Sequence, residues 1–374
     1  MANMMDYLEW RGDLTLSQAP FNEVDNLILS QLAYVDFAGI VCDATDMRQA
    51  VTIRQAAEQF YRMRDTEKIL AQVSMTKSAI LVLKKMAGTP RFGDMRLFGY
   101  RNEISETEQS QFAVISIVLP DDSIYVAYSG TDATLIGWRE DFNMIYLSET
   151  SGHRKAVSYI EDLQAVYPGP YLLGGHSKGG NFAAYAAMFC RQDAKGCGIT
   201  TVYSNDGPGF DQAIVDSERY RAIVPKLYSI IPESSLVGML LSHKERYVVV
   251  QSDNTGLSQH DPMSWQVLGN HFVEAVGMDS RTVMLDETLE EWLAHYTKKE
   301  REMMVEAVFS VLDAAGIKTV DDFFDMHWYR LREAIRAKRE LSEDTTNLLS
   351  QAFRLLLRSG RDNMRRFLQS RYDG

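Results

Sequence analysis

Fifteen consecutive residues constrain this chain more than any others: Tyr171-Leu172-Leu173-Gly174-Gly175-His176-Ser177-Lys178-Gly179-Gly180-Asn181-Phe182-Ala183-Ala184-Tyr185. They open as the short apolar run of a buried strand. They continue as a small-residue helix in which Phe182, Tyr185, Ala186 and Phe189 fall at helical spacing. Between the two sits Gly175-His176-Ser177-Lys178-Gly179, a G-x-S-x-G pattern. In a nucleophile elbow such a serine occupies a strained strand-to-helix turn that lifts its hydroxyl above the sheet edge. The flanking glycines are needed because a Cβ would strike the neighbouring strand or helix. The Lys178 amide, opening the helix, would then face an oxygen on which negative charge develops. Three fixed positions make a short pattern, and the strand before it and the helix after it give it weight. The simpler account is a glycine-rich turn whose serine caps the helix.

The elements around the elbow alternate. Strands are expected over Met95 to Tyr100, Gln111 to Leu119 and Ser123 to Tyr128, the last two joined by a tight turn at Pro120-Asp121-Asp122. A helix over His153 to Tyr167 carries Ala156, Tyr159, Ile160, Leu163 and Val166 on one face. Further strands follow at Gly198 to Ser204, Lys226 to Ile231 and Tyr247 to Gln251. Helix and strand in alternation predict a parallel sheet with right-handed crossovers. Upstream, residues to about 20 read as polar and irregular. Helices are expected from Phe21 and over Thr66 to Met86, packed on the sheet as a cover. From about Ser280 the sequence becomes charged and helical. Leu289, Trp292, Leu293, Tyr296, Val305, Val308, Phe309 and Leu312 form core stripes, and Phe323, Phe324, Trp328, Leu331, Ile335, Leu348, Leu349, Phe353, Leu356 and Leu357 extend them. The organisation expected is an α/β domain over 1–279 with an N-terminal helical cover, and a helical appendage over 280–374.

Composition excludes some partners. A formal charge of −12 opposes a nucleic-acid surface and strong attraction to anionic membranes. The start, Met1-Ala2-Asn3-Met4-Met5-Asp6-Tyr7, has no basic region followed by an apolar one, and no run of about eighteen apolar residues occurs, so neither a signal peptide nor a spanning helix is expected. Three cysteines without metal-type spacing, Cys42, Cys190 and Cys197, fit reduced thiols in a cytoplasmic protein.

A serine nucleophile needs a histidine base, and seven histidines are available. His176, inside the elbow, points away from the hydroxyl. His153, His271, His295 and His327 fall on expected helices, and His243 follows a helix-like stretch. His260 lies in a loop after the last strand, where a base is collected; the bland reading has it beside the Asp261-Pro262 turn. The acid stays open between Asp206 and Glu233, which follow two successive strands at the same sheet edge, with Asp253 behind them. Asp206 also suits an Asx-turn with Gly207-Pro208-Gly209. A second oxyanion donor would come from Thr131 or Asp132, although a plain Gly-Thr-Asp turn explains those residues as well. The order serine, acid, histidine is that of α/β hydrolases.

Tyr128-Ser129-Gly130-Thr131, Trp138, Asp141 and Gly175-His176-Ser177-Lys178-Gly179-Gly180 resemble the two fingerprints of fungal triacylglycerol lipase-like α/β hydrolases. Asp6-Tyr7-Leu8, Asn205-Asp206-Gly207-Pro208-Gly209-Phe210 and Gln259-His260-Asp261-Pro262 resemble more closely a bacterial branch of that superfamily with no assigned function. The resemblance covers most of residues 1–275. It implies Ser177 as nucleophile, His260 as base, and Thr131 with Lys178 as oxyanion donors. There is one departure. Such lipases carry their aspartate just before an Ile-Val-Pro-like segment, and the residue before Leu236-Val237-Gly238 is Ser235. That favours an acid relocated to Asp206 or Glu233, or a weakened triad. Lys178 also replaces a common leucine, so its charge would favour an anionic substrate head or lower the histidine's pKa, unless it points to solvent.

The expectation is therefore an α/β-hydrolase fold with a mostly parallel sheet flanked by helices. Its activity would be that of a serine hydrolase acting on a small-molecule or lipid ester, or a thioester, through an acyl-enzyme and without metal or cofactor. Thr131 to Trp138 and Val237 to Ser242 are candidate covers. Leu236 to Leu241 suits an acyl-chain wall or, more simply, a buried helix. The competing expectation is a non-catalytic interaction protein on the same scaffold, its helical appendage docking a partner.

Overall fold

The computed structural model describes residues 1–71, 75–132, 134–191, 198–319 and 322. Eight strands form one sheet in sequence order: β1 (Val51–Thr52), β2 (Arg96–Ser105), β3 (Ser110–Val118), β4 (Ile124–Tyr128), β5 (Tyr171–His176), β6 (Ile199–Asn205), β7 (Leu227–Pro232) and β8 (Tyr247–Val250). Strands β1 to β4 pair antiparallel, and β4 to β8 pair parallel. The switch follows from the connections. The short Pro120-Asp121-Asp122 link, with Asp122 at φ +62°, permits only an antiparallel partner, whereas the later strands are joined by longer crossovers. The protein is thus mixed α/β, with a mostly parallel central sheet flanked by helices.

Every residue of β3 and β4 is buried, because both faces of the sheet are covered. Ile115, Ile117, Tyr125 and Ala127 face one core, which α1 (Met4–Trp10), α2 (Glu23–Ser30), α3 (Ile53–Met63) and α5 (Met75–Ala87) complete. Their alternate neighbours Phe112, Val114, Val126 and Tyr128 face a second core under α7 (Ser151–Val166), α8 (Lys178–Phe189) and α10 (Glu218–Ile223). Between these, α4 (Thr66–Leu70), α6 (Leu135–Asn143) and α9 (Gln212–Val215) are shorter or peripheral. Last come α11 (Ser280–Ala294) and α12 (Lys298–Ala314).

Several expectations need correction. Residues before 20 are not merely irregular: Asn3 and Asp6 form a capping box, and Met4, Tyr7 and Leu8 at i, i+3 and i+4 are the buried side of α1. The expected helix from Thr66 to Met86 is divided into α4, ending at Leu70, and α5, beginning at Met75. β2 runs five residues past Tyr100, to Ser105. Val166 and Val308, assigned to core faces, are exposed at their helix positions. Leu236 to Leu241 forms turns rather than a helix, and Gly238 is its one fully buried member. Tyr247–Val250 is not the last strand, since β9 (Val267–Leu268) and β10 (His271–Phe272) make a separate hairpin that carries His271. Cys190 is buried and Cys42 is half-buried. The pattern from Phe323 to Leu357, and with it His327, lies outside the described residues, as does Cys197.

Helix α12 packs on α6. Val305 and Phe309 join Leu135 and Tyr146 in a small apolar cluster, and Phe142 meets the Phe309 ring edge-on at 5.6 Å between centroids. Arg139 bridges to Glu306, and the Leu135 N–H donates to the Lys318 carbonyl at 2.8 Å. No helix among the described residues is long and apolar enough to cross a membrane.

Candidate active site

Ser177 sits between the end of β5 and the start of α8 at φ +58°, ψ −134°, a backbone conformation that L-residues adopt only under constraint. Packing imposes it. A Cβ on Gly175 would strike the Gly179 backbone, and one on Gly179 would strike the Tyr128 carbonyl, so β4, β5 and α8 meet here at backbone distance. The Ser177 N–H donates to the Asn205 carbonyl at 2.8 Å. The hydroxyl makes no capping bond to the first turn of α8, which removes the simpler account of this serine as a helix cap.

His260 reaches the elbow from the loop after β8. Its Nδ1 donates to Asp206 Oδ2 at 2.6 Å, leaving Nε2 as the basic nitrogen of the neutral ring. Asp206 follows β6 at φ +52°, an αL conformation that aspartate tolerates better than most residues, and it is fully buried. Its carboxylate goes to His260, Ser235 and Gly238, so the proposed Asx-turn does not form. Glu233 is placed elsewhere, with its backbone bonded to Val250 and Asp279. Asp253 accepts from Gln266 Nε2 at 2.8 Å. Of the three acids considered, Asp206 is the one brought to His260.

The other histidines are occupied differently. His176 lies under the elbow with Nε2 donating to the His260 carbonyl at 2.8 Å and Nδ1 3.0 Å from Tyr34 Oη. Its ring is 4.6 Å from that of His260, and burial, reinforced by the nearby His260, pushes its pKa well below the ordinary value. A neutral His176 therefore anchors the loop that carries His260 to the residue next to Ser177. His153 is buried against Asn181 Oδ1 at 2.6 Å, and burial pulls its pKa down to about 4. His243 pairs with Glu245 at 3.1 Å, while His271 and His295 are exposed.

Thr131 stands beside the serine. A Cβ on the preceding Gly130 would lie 2.5 Å from the His176 carbonyl oxygen and 3.0 Å from Ser177 Cβ. Its hydroxyl donates to Asp141 Oδ2 at 2.5 Å. Asp132 instead accepts from the Thr134 N–H at 2.8 Å, two residues on, so the turn reading holds for that residue, and Thr134 is the residue that caps α6. Lys178 contradicts the expectation that its side chain reaches substrate, histidine or solvent. The side chain is 1% exposed, and Nζ lies 3.0 Å from Glu140 Oε2, 3.1 Å from Gln111 Oε1 and 3.8 Å from Asp141 Oδ1. Burial pulls its pKa down, but Glu140 and Asp141 outweigh this and hold it above the usual lysine value. Asp141 is pushed up to about 6 by burial, against the pull of Lys178 and the Thr131 hydroxyl. Its Oδ1 is enclosed and has no hydrogen-bond partner among the described residues, although the side chain as a whole is 38% exposed.

Sequence reasoning missed Glu140, Tyr34 and the Ser235 hydroxyl. Glu140 had a signal, being the residue before Asp141 and one helical turn after Gly137. Tyr34 had none, because its partner is far away in the chain, and Ser235 was marked only as the place of a missing aspartate, not as a donor to Asp206.

Fold and site together define an α/β protein with a strand–serine–helix elbow next to a partly exposed histidine bonded to a buried aspartate. The chain belongs to the Mbeg1-like family, whose model matches residues 86–310. No curated protein matches it. Among solved structures it is loosely similar to the Rhizomucor miehei lipase propeptide complex. A deletion mutant of that complex is 14% identical with a TM-score of 0.35, the match covering 51% of this chain and 70% of that one. The native complex gives 13% and 0.30, over 47% and 70%. M37 lipase gives 14% and 0.32, over 57% and 68%.

Proposed function

We propose that this protein is a serine hydrolase of α/β-hydrolase type that cleaves a carboxylic ester or thioester through an acyl-enzyme. The observation that carries the reading is the 2.6 Å bond between His260 Nδ1 and Asp206 Oδ2, on a loop tied to the residue preceding a strained Ser177. In this reading His260 Nε2 takes the Ser177 proton as Oγ attacks the acyl carbon, then returns it to the leaving oxygen or sulfur. Water, deprotonated by the same nitrogen, releases the acid. Asp206 keeps the proton on Nδ1 and stabilises the imidazolium that forms. The amides of Thr131 and Lys178 receive the oxyanion, with the Thr131 side chain steadied by Asp141. The chemistry belongs to a main domain over 1–279, with a helical appendage from 280 onward whose α12 packs on α6. Three cysteines without metal-type spacing favour a reducing, cytoplasmic setting. The rival reading of a non-catalytic interaction protein drew its support from the serine at 235, and the Asp206 contact to His260 favours the enzyme.

A fluorophosphonate probe tests this by intact mass. One adduct is expected on the wild type and none on Ser177→Ala. His260→Ala and Asp206→Asn should label far more slowly, and Glu233→Gln at the wild-type rate. A folded wild type that takes no adduct would overturn the reading.

A further inference from the structure

The two oxygens of the Asp206 carboxylate have separate tasks. Oδ2 accepts from His260 Nδ1, while Oδ1 accepts from the Ser235 hydroxyl and, at 3.2 Å, from the Gly238 N–H. Ser235 is itself fixed. It is 1% exposed, its N–H donates to the Pro232 carbonyl at 2.9 Å, and its Oγ receives the Gly238 N–H at 2.9 Å. The space around this contact is closed, since a Cβ on Gly238 would lie 2.8 Å from Ser235 Oγ and would run into Asp206 Oδ1. An aspartate carboxyl rotates broadly about its terminal torsion, and a bond to one oxygen alone leaves the other free to swing. Here the backbone N–H of Asp206 is held by the Ile230 carbonyl at 2.8 Å, and the hydroxyl from the end of β7 pins the far oxygen.

We infer that Ser235 is a positioning residue of this site: its hydroxyl fixes the rotation of the Asp206 carboxylate so that Oδ2 meets His260 Nδ1. Its consequence for turnover rests on the serine-hydrolase reading above, whereas the contact itself does not. The sequence departure at 235 then has a physical sense. The side chain at that position supports the acid from behind while the carboxylate is supplied by the end of β6.

Ser235→Ala removes one oxygen and leaves the fold's packing otherwise unchanged, and Ser234→Ala is a control of equal size. Nitrogen NMR of histidine-labelled protein, with His260 assigned through His260→Ala, reads the bond at Nδ1 directly. In Ser235→Ala the Nδ1 signal is expected to move from its wild-type position toward that of Asp206→Asn, and kcat on an ester should fall about tenfold with KM nearly unchanged. Ser234→Ala should alter neither. An Nδ1 signal that stays at the wild-type position in Ser235→Ala overturns the inference, whatever happens to kcat. A wild type that neither labels nor turns over, but whose Nδ1 signal still moves in Ser235→Ala, sinks the hydrolase reading and leaves the positioning of Asp206 standing.

Discussion

Replacing Lys178 by methionine isolates the least expected feature of this site. Lys178 and Glu140 form an ion pair with side chains 1% and 0% exposed, separated by 3.0 Å. Removing the ammonium leaves a carboxylate in a dry pocket, which costs roughly 3–5 kcal/mol. Glu140 keeps three neutral donors, the Gln111 N–H at 3.0 Å, the Thr150 hydroxyl at 2.9 Å and the Gly152 N–H at 2.9 Å, so the lower end, about 3 kcal/mol, is expected. With an unfolding entropy of about 2 cal/mol/K per residue, unfolding of the whole chain as one unit converts this to a fall of about 4 °C in Tm. The sign with pH is also fixed. Burial raises the Glu140 pKa, but the Lys178 charge and the N–H bonds from Gln111 and Gly152 outweigh it and hold it below 4.5. A depressed carboxylate contributes stability that is present above its ordinary value and lost as pH falls below it. In Lys178→Met that contribution is gone, so the gap from wild type should be widest at neutral pH and close as pH drops below 4.5. Calorimetry over pH 3 to 8, on the order of five points, reads both effects, and Lys178→Met/Glu140→Gln should regain about 1 kcal/mol or more by removing the stranded charge. A single variant within about 1 kcal/mol of wild type, or a double variant no better than the single, would refute the reasoning.

Two further outcomes follow from the same geometry. Gly130→Ala should fold with a displaced elbow and label with fluorophosphonate at least about tenfold more slowly, because the new methyl group meets the His176 carbonyl, Ser177 Cβ and the Tyr34 hydroxyl. Unaltered labelling would show that the elbow yields without consequence. Asp141→Asn should remove one descending contribution to the stability–pH curve between pH 3.8 and about 6: with its pKa raised in the folded state, Asp141 holds a proton there that the unfolded chain has released, so the stability of wild type relative to the variant should fall as pH rises through that window. Identical slopes for the two proteins would exclude this.

Much of the site was legible because its signals are local. The elbow needs small residues at fixed offsets from the serine, and Gly175 and Gly179 stand where a Cβ would meet backbone. The βα alternation and the Pro120-Asp121-Asp122 turn gave the sheet its parallel and antiparallel parts. α1 was equally local, and its capping box at Asn3 and Asp6 was overlooked. Leu236 to Leu241 misled for the opposite reason. Its composition suits a helix, but Gly238 is committed to Asp206 and Leu241 sits at φ +67°, so tertiary contacts override propensity.

By itself the sequence determined the residues from which the site is built: a serine between glycines after a strand, a histidine in a late loop, and acids at the ends of the intervening strands. It did not choose between Asp206 and Glu233, because both follow strands that end at the same sheet edge and spacing along the chain is silent about which carboxylate faces the ring. That choice is tertiary, made by the αL turn after β6 and by the bonds from Ser235 and Gly238. The place of Lys178 is tertiary too. A lysine after a nucleophile reads as a charge offered to substrate until α6 brings Glu140 against it. Only packing reveals that the charge is buried and already neutralised, since pairing across long sequence separations depends on three-dimensional approach rather than on any local pattern.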